Sequence, residues 1–355
     1  MRLTEQVELL VRSLESDSEN VRNGIIVQLS LFGSKIVPQL TRDLDKYLDV
    51  ESMGLGRGEP KNSYLELAID GILKSLGMIQ DPSPVEIIER ALPRKEAVEA
   101  LSKIGGSKSL DLILSSMEAP VDEWGNQPGG ALRNFVDSEQ KGSRANDDFV
   151  RNVFINLGDP GRLRLKEDLS SPVPRRRAVV ASILRAMHDK DSTPQLLAIL
   201  KSKDLGPKAE AAHALQELNS RDLEPELIKE LFSVERMIVD LELSESKQAS
   251  DLLLYDQLRE ARDVIESAVL ALGDPSSLVE VGFHPSPVRR DTSKFSVRPE
   301  FRKAIIESGE SAMPALTKFL TTSQEKSVQS SAAEIIAEIK KREESENTTA
   351  ANGTP

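Results

Sequence analysis

The sequence predicts an all-α chain, a right-handed α-solenoid of about seven to eight helical pairs. Three observations carry that expectation. Gly33-Ser-Lys-Ile-Val-Pro38-Gln-Leu40-Thr41-Arg-Asp-Leu44 matches Gly309-Glu-Ser-Ala-Met-Pro314-Ala-Leu316-Thr317-Lys-Phe-Leu320, with Gly, Pro, Leu, Thr and Leu in register. Leu-Gly-Asp-Pro occurs at 157–160 and again at 272–275. Apolar residues recur at helical spacing, and no period-2 strand pattern is present.

Each segment follows from the same physical cues. Residues 5–15 place Val7, Leu9, Leu10, Val11 and Leu14 in one stripe. Ser16, Asp17 and Ser18 offer a helix start, and Val21–Phe32 reads as a second helix ended by Gly33. Lys35–Val50 begins with Pro38 in its first turn, where a missing N–H costs nothing. Met53–Pro60 reads as a loop, Tyr64–Leu76 as a helix followed by Gly77, and Pro84–Leu92 with Pro93–Ile104 as a tight pair closed by Gly105-Gly106. Leu110–Met117 follows. Residues 118–146 then lose periodicity and form an expected loop insertion carrying Trp124.

The pattern resumes with helices at Phe149–Leu157, Leu163–Leu169, Arg175–Met187, Thr193–Leu200, Pro207–Leu218 and Pro225–Val234. Longer helices reach Leu272, broken near Ser244–Ser250. Residues 283–299, rich in proline and charge, form a second insertion. Glu300–Ser308, Ala312–Leu320 and Glu325–Arg342 complete the array at 1–343, and 344–355, lacking an apolar face, are expected to be disordered.

Asp159–Leu218 resembles HEAT repeats, especially the short kind found in phycobilin lyase subunits. The likeness rests on Leu157-Gly-Asp-Pro160, Leu165 and Leu169, and Ser171-Pro-Val-Pro-Arg-Arg-Arg177-Ala-Val-Val-Ala181-Ser-Ile-Leu184. Ser16–Leu29 fits the same frame, with Arg22 in the place of Arg177, and Lys208–Leu215 is a third version. The resemblance implies a scaffold, adaptor or assembly factor. It also carries an alternative, a lyase or chaperone-lyase subunit acting on a chromophore-bearing protein. DNA glycosylases with HEAT-like folds supply a third, weaker possibility.

Composition narrows these. The 355 residues carry 39% hydrophobic but only 4% aromatic side chains, a mixture suited to many small helix interfaces. A net charge of −12 disfavours nucleic acid or an anionic membrane as partner. Cysteine is absent, which excludes disulfides, thiolate metal sites and a Cys nucleophile. The start lacks an uninterrupted signal-peptide core and no apolar run has membrane-span length, so a cytoplasmic location without membrane is expected.

Two basic islands stand out. Within 159–188, Arg162, Arg164, Lys166, Arg175, Arg176, Arg177 and Arg185 outnumber Asp159, Glu167 and Asp168. Within 281–303, Arg289, Arg290, Lys294, Arg298, Arg302 and Lys303 outnumber Asp291 and Glu300. Arg175, Arg176, Arg289 and Arg290 are the candidate contacts for an acidic protein surface, with Trp124 as a candidate aromatic anchor. The competing reading has Arg177 bonding turn acids of neighbouring repeats and the other cations solvated. Gly54-Leu-Gly-Arg-Gly58 follows no strand and lacks the Gly-Lys-Ser/Thr ending of a phosphate loop. His188, His213 and His284 are scattered and are followed by Asp189, Ala214 and Pro285, unlike the His-Glu pairs of the HEAT-like deoxyhypusine hydroxylases. No catalytic residue, metal site or cofactor is expected, and the function read from sequence is a non-catalytic interaction scaffold.

Overall fold

A computed structural model describes residues 2–52, 63–92, 94–118, 152–243, 249–284 and 297–352, and all structural statements below concern these. The described chain is helical and contains no strand. It divides into two compact units, Met1–Met187 and His188–Pro355.

In the first unit, α1 (Leu3–Ser13) packs on α2 (Glu19–Leu31), and α3 (Val37–Ser52) on α4 (Ser63–Ile79). A short α5 (Val85–Arg90) packs on α6 (Lys95–Ile104), which also meets α7 (Gly106–Glu118). The second helices stack on one another, α2 on α4 and α4 on α6. Their shared core is aliphatic: Leu14, Leu29, Ile69, Ile72, Leu73, Leu76 and Leu101 have no exposed surface. Gly77 lies inside α4 rather than ending it. A Cβ there would stand 2.9 Å from the Ala100 Cα, so the missing side chain lets α4 and α6 approach. After residues 152–156, α8 (Gly158–Asp168) and α9 (Pro174–Ala186) form a further pair against α7, and α9 is buried at every position from Val179 to Ala186.

In the second unit, α10 (Thr193–Leu200) pairs with α11 (Leu205–Glu217), and α12 (Glu224–Leu243) with α13 (Ala249–Leu272). Then α14 (Pro275–Phe283) pairs with α15 (Pro299–Glu307), and α16 (Met313–Thr322) with α17 (Lys326–Asn352). Again second helices meet, α11 on α13, α13 on α15 and α15 on α17.

The longest self-similar word has a structural meaning. Gly33 and Gly309 take left-handed backbone angles (φ 62° and 59°), each opens a 3-10 turn (Gly33–Ile36, Gly309–Ala312), and each turn runs into a helix with proline in its first turn. A left-handed residue just past a helix end satisfies orphan carbonyls and reverses the chain. Two further corners repeat the plan without glycine. His188 (φ 52°) precedes the 3-10 turn Lys190–Ser192 and Pro194, and Asn219 (φ 55°) precedes Arg221–Leu223 and Pro225. At the latter, the Ser220 N–H donates to the Leu215 carbonyl at 3.1 Å, closing the corner.

The shorter word does not repeat in structure. In Leu157–Pro160, Gly158 is left-handed and already opens α8. In Leu272–Pro275, Asp274 is extended and caps α14, its carboxylate accepting from the Ser277 N–H at 2.9 Å. One tetrapeptide thus serves two different helix starts.

At the far end, α17 continues to Asn352 although 344–355 are expected to be disordered. Glu343, Glu344, Glu346, Ala350 and Ala351 are strong helix formers, and the first breaker after Arg342 is Gly353. The expected insertions fall largely on residues 119–151 and 285–296, outside the described residues.

Candidate interaction surface

The first basic island is assembled by α8, the turn after it and α9. Arg176 Nη1 lies 3.3 Å from Asp168 Oδ2 and 3.8 Å from Asp111 Oδ1 on α7. Arg164 reaches the same two carboxylates at 3.5 and 3.6 Å. Arg176 is therefore committed to a largely buried ion pair with Asp168 and, through the half-exposed Asp111, to a cluster joining three helices. Arg175 is half-buried in the first turn of α9, and Arg162 is exposed. Asp111 lies far upstream in sequence, so a charge count over 159–188 misses the acid that offsets two of its cations.

Arg177 bonds the carbonyl of Ser171, six residues earlier, across the turn between paired helices. This main-chain bond is one contact that the sequence expectation of turn-acid partners does not include. Arg22 donates to the Ser16 carbonyl at 2.7 Å in the same way, and Gln329 donates to the Ser323 carbonyl at 2.8 Å. Each side chain occupies a carbonyl that the turn leaves without a helical partner. Lys208, the third version in sequence, does something else: it is buried and pairs with the Glu230 carboxylate of α12.

In the second island, Arg298 is buried and holds Glu235 at 2.7 Å, with Glu266 at 3.7 Å. Arg302 bonds Glu338 at 2.8 Å, and Lys303 stands 3.9 Å from Glu307. Arg289, Arg290 and Lys294 lie outside the described residues, as does Trp124. The three histidines are separate: His188 forms a corner, His213 bonds Glu217 at 3.1 Å, and His284 stacks on Phe232 with ring centroids 4.0 Å apart.

The buried pairs were not picked out from sequence, yet a signal exists. The buried face of α12 reads Glu224, Leu227, Glu230, Leu231, Val234, Glu235, Ile238. Carboxylates on an apolar stripe require partners from neighbouring helices. Glu230 and Glu235 find Lys208 and Arg298, and Glu224 accepts the Asp274 N–H at 3.2 Å. Glu266, pushed up by burial and pulled back by Arg298 and Arg262, completes the cluster.

Ionic links among α3, α4, α5 and α6 lie nearer solvent. Arg90 on α5 bonds Asp45 and Asp49 of α3, while Arg94 bonds Glu51 and reaches Asp70 of α4 at 3.3 Å. Burial, with help from Glu96 and against Arg94 and Lys74, pushes the Asp70 carboxyl up to about 6. A pocket of about 250 Å³ between α1 and α3 is lined by Glu8, Val11, Arg12, Asp43, Lys46, Tyr47 and Val50. The Tyr47 hydroxyl donates to Glu15 at 3.0 Å, and burial followed by that bond pushes the phenol up to about 12. The charges around this pocket are paired among themselves, Glu8 with Arg12 and Asp43 with Lys46. Among the described residues, no cluster of three or more His, Asp or Glu side chains is arranged to hold a metal ion, and no helix is long and apolar enough to cross a membrane.

No family model matches the chain, and no curated protein matches it significantly. One solved structure that aligns is a crystal structure of an engineered protein from the Northeast Structural Genomics Consortium. It shares 19% identity over 94% of this chain and 88% of its own, with a TM-score of 0.28. At that score the alignment carries no argument about fold or function.

Proposed function

We propose that the chain is a HEAT-like α-solenoid, right-handed and of about seven to eight helical pairs, that works as a non-catalytic protein-interaction scaffold in the cytoplasm. The observation that carries this reading is the corner built four times, at Gly33, His188, Asn219 and Gly309, each followed by a helix that pairs with the next. A chain constructed by repeating one corner presents a row of similar helices, and such rows recognise other proteins through their accumulated surface. The ionic chemistry fits that use. Lys208, Arg298, Arg94 and Arg176 join one helix to another within their own unit.

The partner surface fits an acidic, protein-like character at Arg175, the island cation left in the first turn of α9. The test is affinity capture followed by reconstitution of the purified pair and cross-link mapping. A stable complex with cross-links along α2, α4, α6 or α9 is expected, weakened by Arg175→Glu without a change in melting temperature. Robust turnover of a small molecule by the purified chain alone contradicts the scaffold reading.

A further inference from the structure

In the second unit, the α12–α13 pair is longer than the core it encloses. These helices have 20 and 24 residues, while α11, which packs on α13, has 13. Among the described residues, the last buried side chain along α12 is Ile238, and the first along α13 is Leu258. Residues 239–243 and 251–257 therefore form a hairpin tip beyond that core. The tip is tied together: the Tyr255 hydroxyl donates to Glu242 at 3.0 Å, and the Arg259 guanidinium lies 5.8 Å from the centre of the Tyr255 ring.

This tip nevertheless carries leucines in water. Leu243, Leu252, Leu253 and Leu254 are 75%, 67%, 63% and 42% exposed. Consecutive helix residues point about 100° apart, so Leu252, Leu253 and Leu254 cannot all turn to one neighbour within the chain. Exposed apolar residues in an unbroken run on a helix are unfavourable without a partner and mark a binding surface. Carboxylates stand on the same faces. Exposed Asp256 and Glu260 follow Leu253 at i+3 and i+7, and exposed Asp240 precedes Leu243 by three positions. Arg259 is the one cation in 249–260, and it is turned onto Tyr255.

We propose that this tip is a docking site for a basic amphipathic helix of a partner protein, whose apolar face covers Leu243, Leu252 and Leu253 while its lysines and arginines meet Asp240, Asp256 and Glu260. Charge selects the occupant. The carboxylates beside the leucines attract cations, and they repel both an anionic lipid surface and the same tip on a second copy. An apolar patch with an acidic rim matches a helix that presents apolar anchors at i, i+3 and i+4 with basic residues beside them. The proposal goes beyond the scaffold reading and does not depend on it. The tip lies in the second unit and takes a basic partner, whereas Arg175 takes an acidic one.

The experiment is fluorescence anisotropy of a labelled helical peptide of about 18 residues, leucine on one face and lysine on the other, titrated with the full chain at physiological salt. Saturable one-to-one binding is expected with a Kd below about 100 μM, weakening as salt rises. L252Q/L253Q and D256K/E260K are each expected to weaken it at least about tenfold at an unchanged melting temperature, because the replaced side chains are exposed. The same peptide with glutamate in place of lysine is expected not to bind. Binding that survives L252Q/L253Q is charge attraction alone and overturns the proposal, as does a wild-type chain with no saturable binding. Flotation with phosphatidylserine vesicles, or concentration-dependent dimerisation in sedimentation, that is lost in L252Q/L253Q assigns the leucines to a membrane or to a second copy and overturns it too.

Discussion

Two parts of the molecule, α3–α6 in the first unit and α11–α15 in the second, tie helices together with charges placed at different depths. In the first, helices α3, α4, α5 and α6 are tied by Arg90 to Asp45 and Asp49, and by Arg94 to Glu51 and Asp70, with the Arg90 and Asp45 side chains 44% and 47% exposed. In the second, Arg298 and Glu235 meet at 6% and 2% exposure, and Lys208 meets Glu230 at 3% and 12%. An exposed pair gains little because water screens it, whereas a buried charge without its partner is costly. Helices α3–α6 can therefore lose a link and keep their packing. A buried pair among α11–α15 cannot lose one partner without leaving the other as an unpaired buried charge.

Breaking that contrast gives the largest expected effect. Glu235→Ala leaves Arg298 buried without its nearest carboxylate and should cost about 3–5 kcal/mol of the second unit's stability, read by urea unfolding. Replacing both partners with methionine should recover most of that loss. Arg90→Ala, the counterpart in the first unit, should cost less than about 1 kcal/mol in the same assay.

The shared corner sharpens the comparison from the opposite side, because there the units should respond alike. Gly33→Val and Gly309→Val force a β-branched residue into the left-handed region and should each cost about 1–2 kcal/mol. Asn219→Gly should stabilise by up to about 1 kcal/mol, since it removes the Cβ from the same conformation.

A further small effect is pH-dependent and belongs to the first unit. The folded carboxyl of Asp70 titrates near 6, above its ordinary 3.8, so the folded state holds that proton more tightly than the unfolded chain. Its contribution is present below about pH 4 and is lost as pH rises through 6. Solvent screening keeps the loss near 1 kcal/mol, and Asp70→Asn should flatten it in thermal melts between pH 4 and 7.

Much of this architecture is legible in the residues, because helix stripes, prolines in first turns and Gly33 with Gly309 are local signals. Asn219 and His188 were not legible as corners, since left-handed backbone outside glycine is set by the turn and not by residue type alone. Gly77 reads as a helix end and is instead a point of close approach, a fact decided by Ala100 on another helix. The repeated Leu-Gly-Asp-Pro misleads for a related reason: four residues do not determine which of them begins the helix. Arg176 shows the same limit for the candidate surface. Its neighbours in sequence suggest a free basic patch, while Asp111, brought in by α7, makes it part of an ion pair. The carboxylates on the buried face of α12 were visible, but their partners depend on which helices pack together.

The central claim is that one corner is built repeatedly whether or not glycine occupies it. Backbone φ angles at His188 and Asn219, measured by three-bond HN–Hα couplings and Cα chemical shifts in solution, test it most directly. Positive angles at both, matching Gly33 and Gly309, are the predicted result; negative, helix-like angles at either position would contradict it.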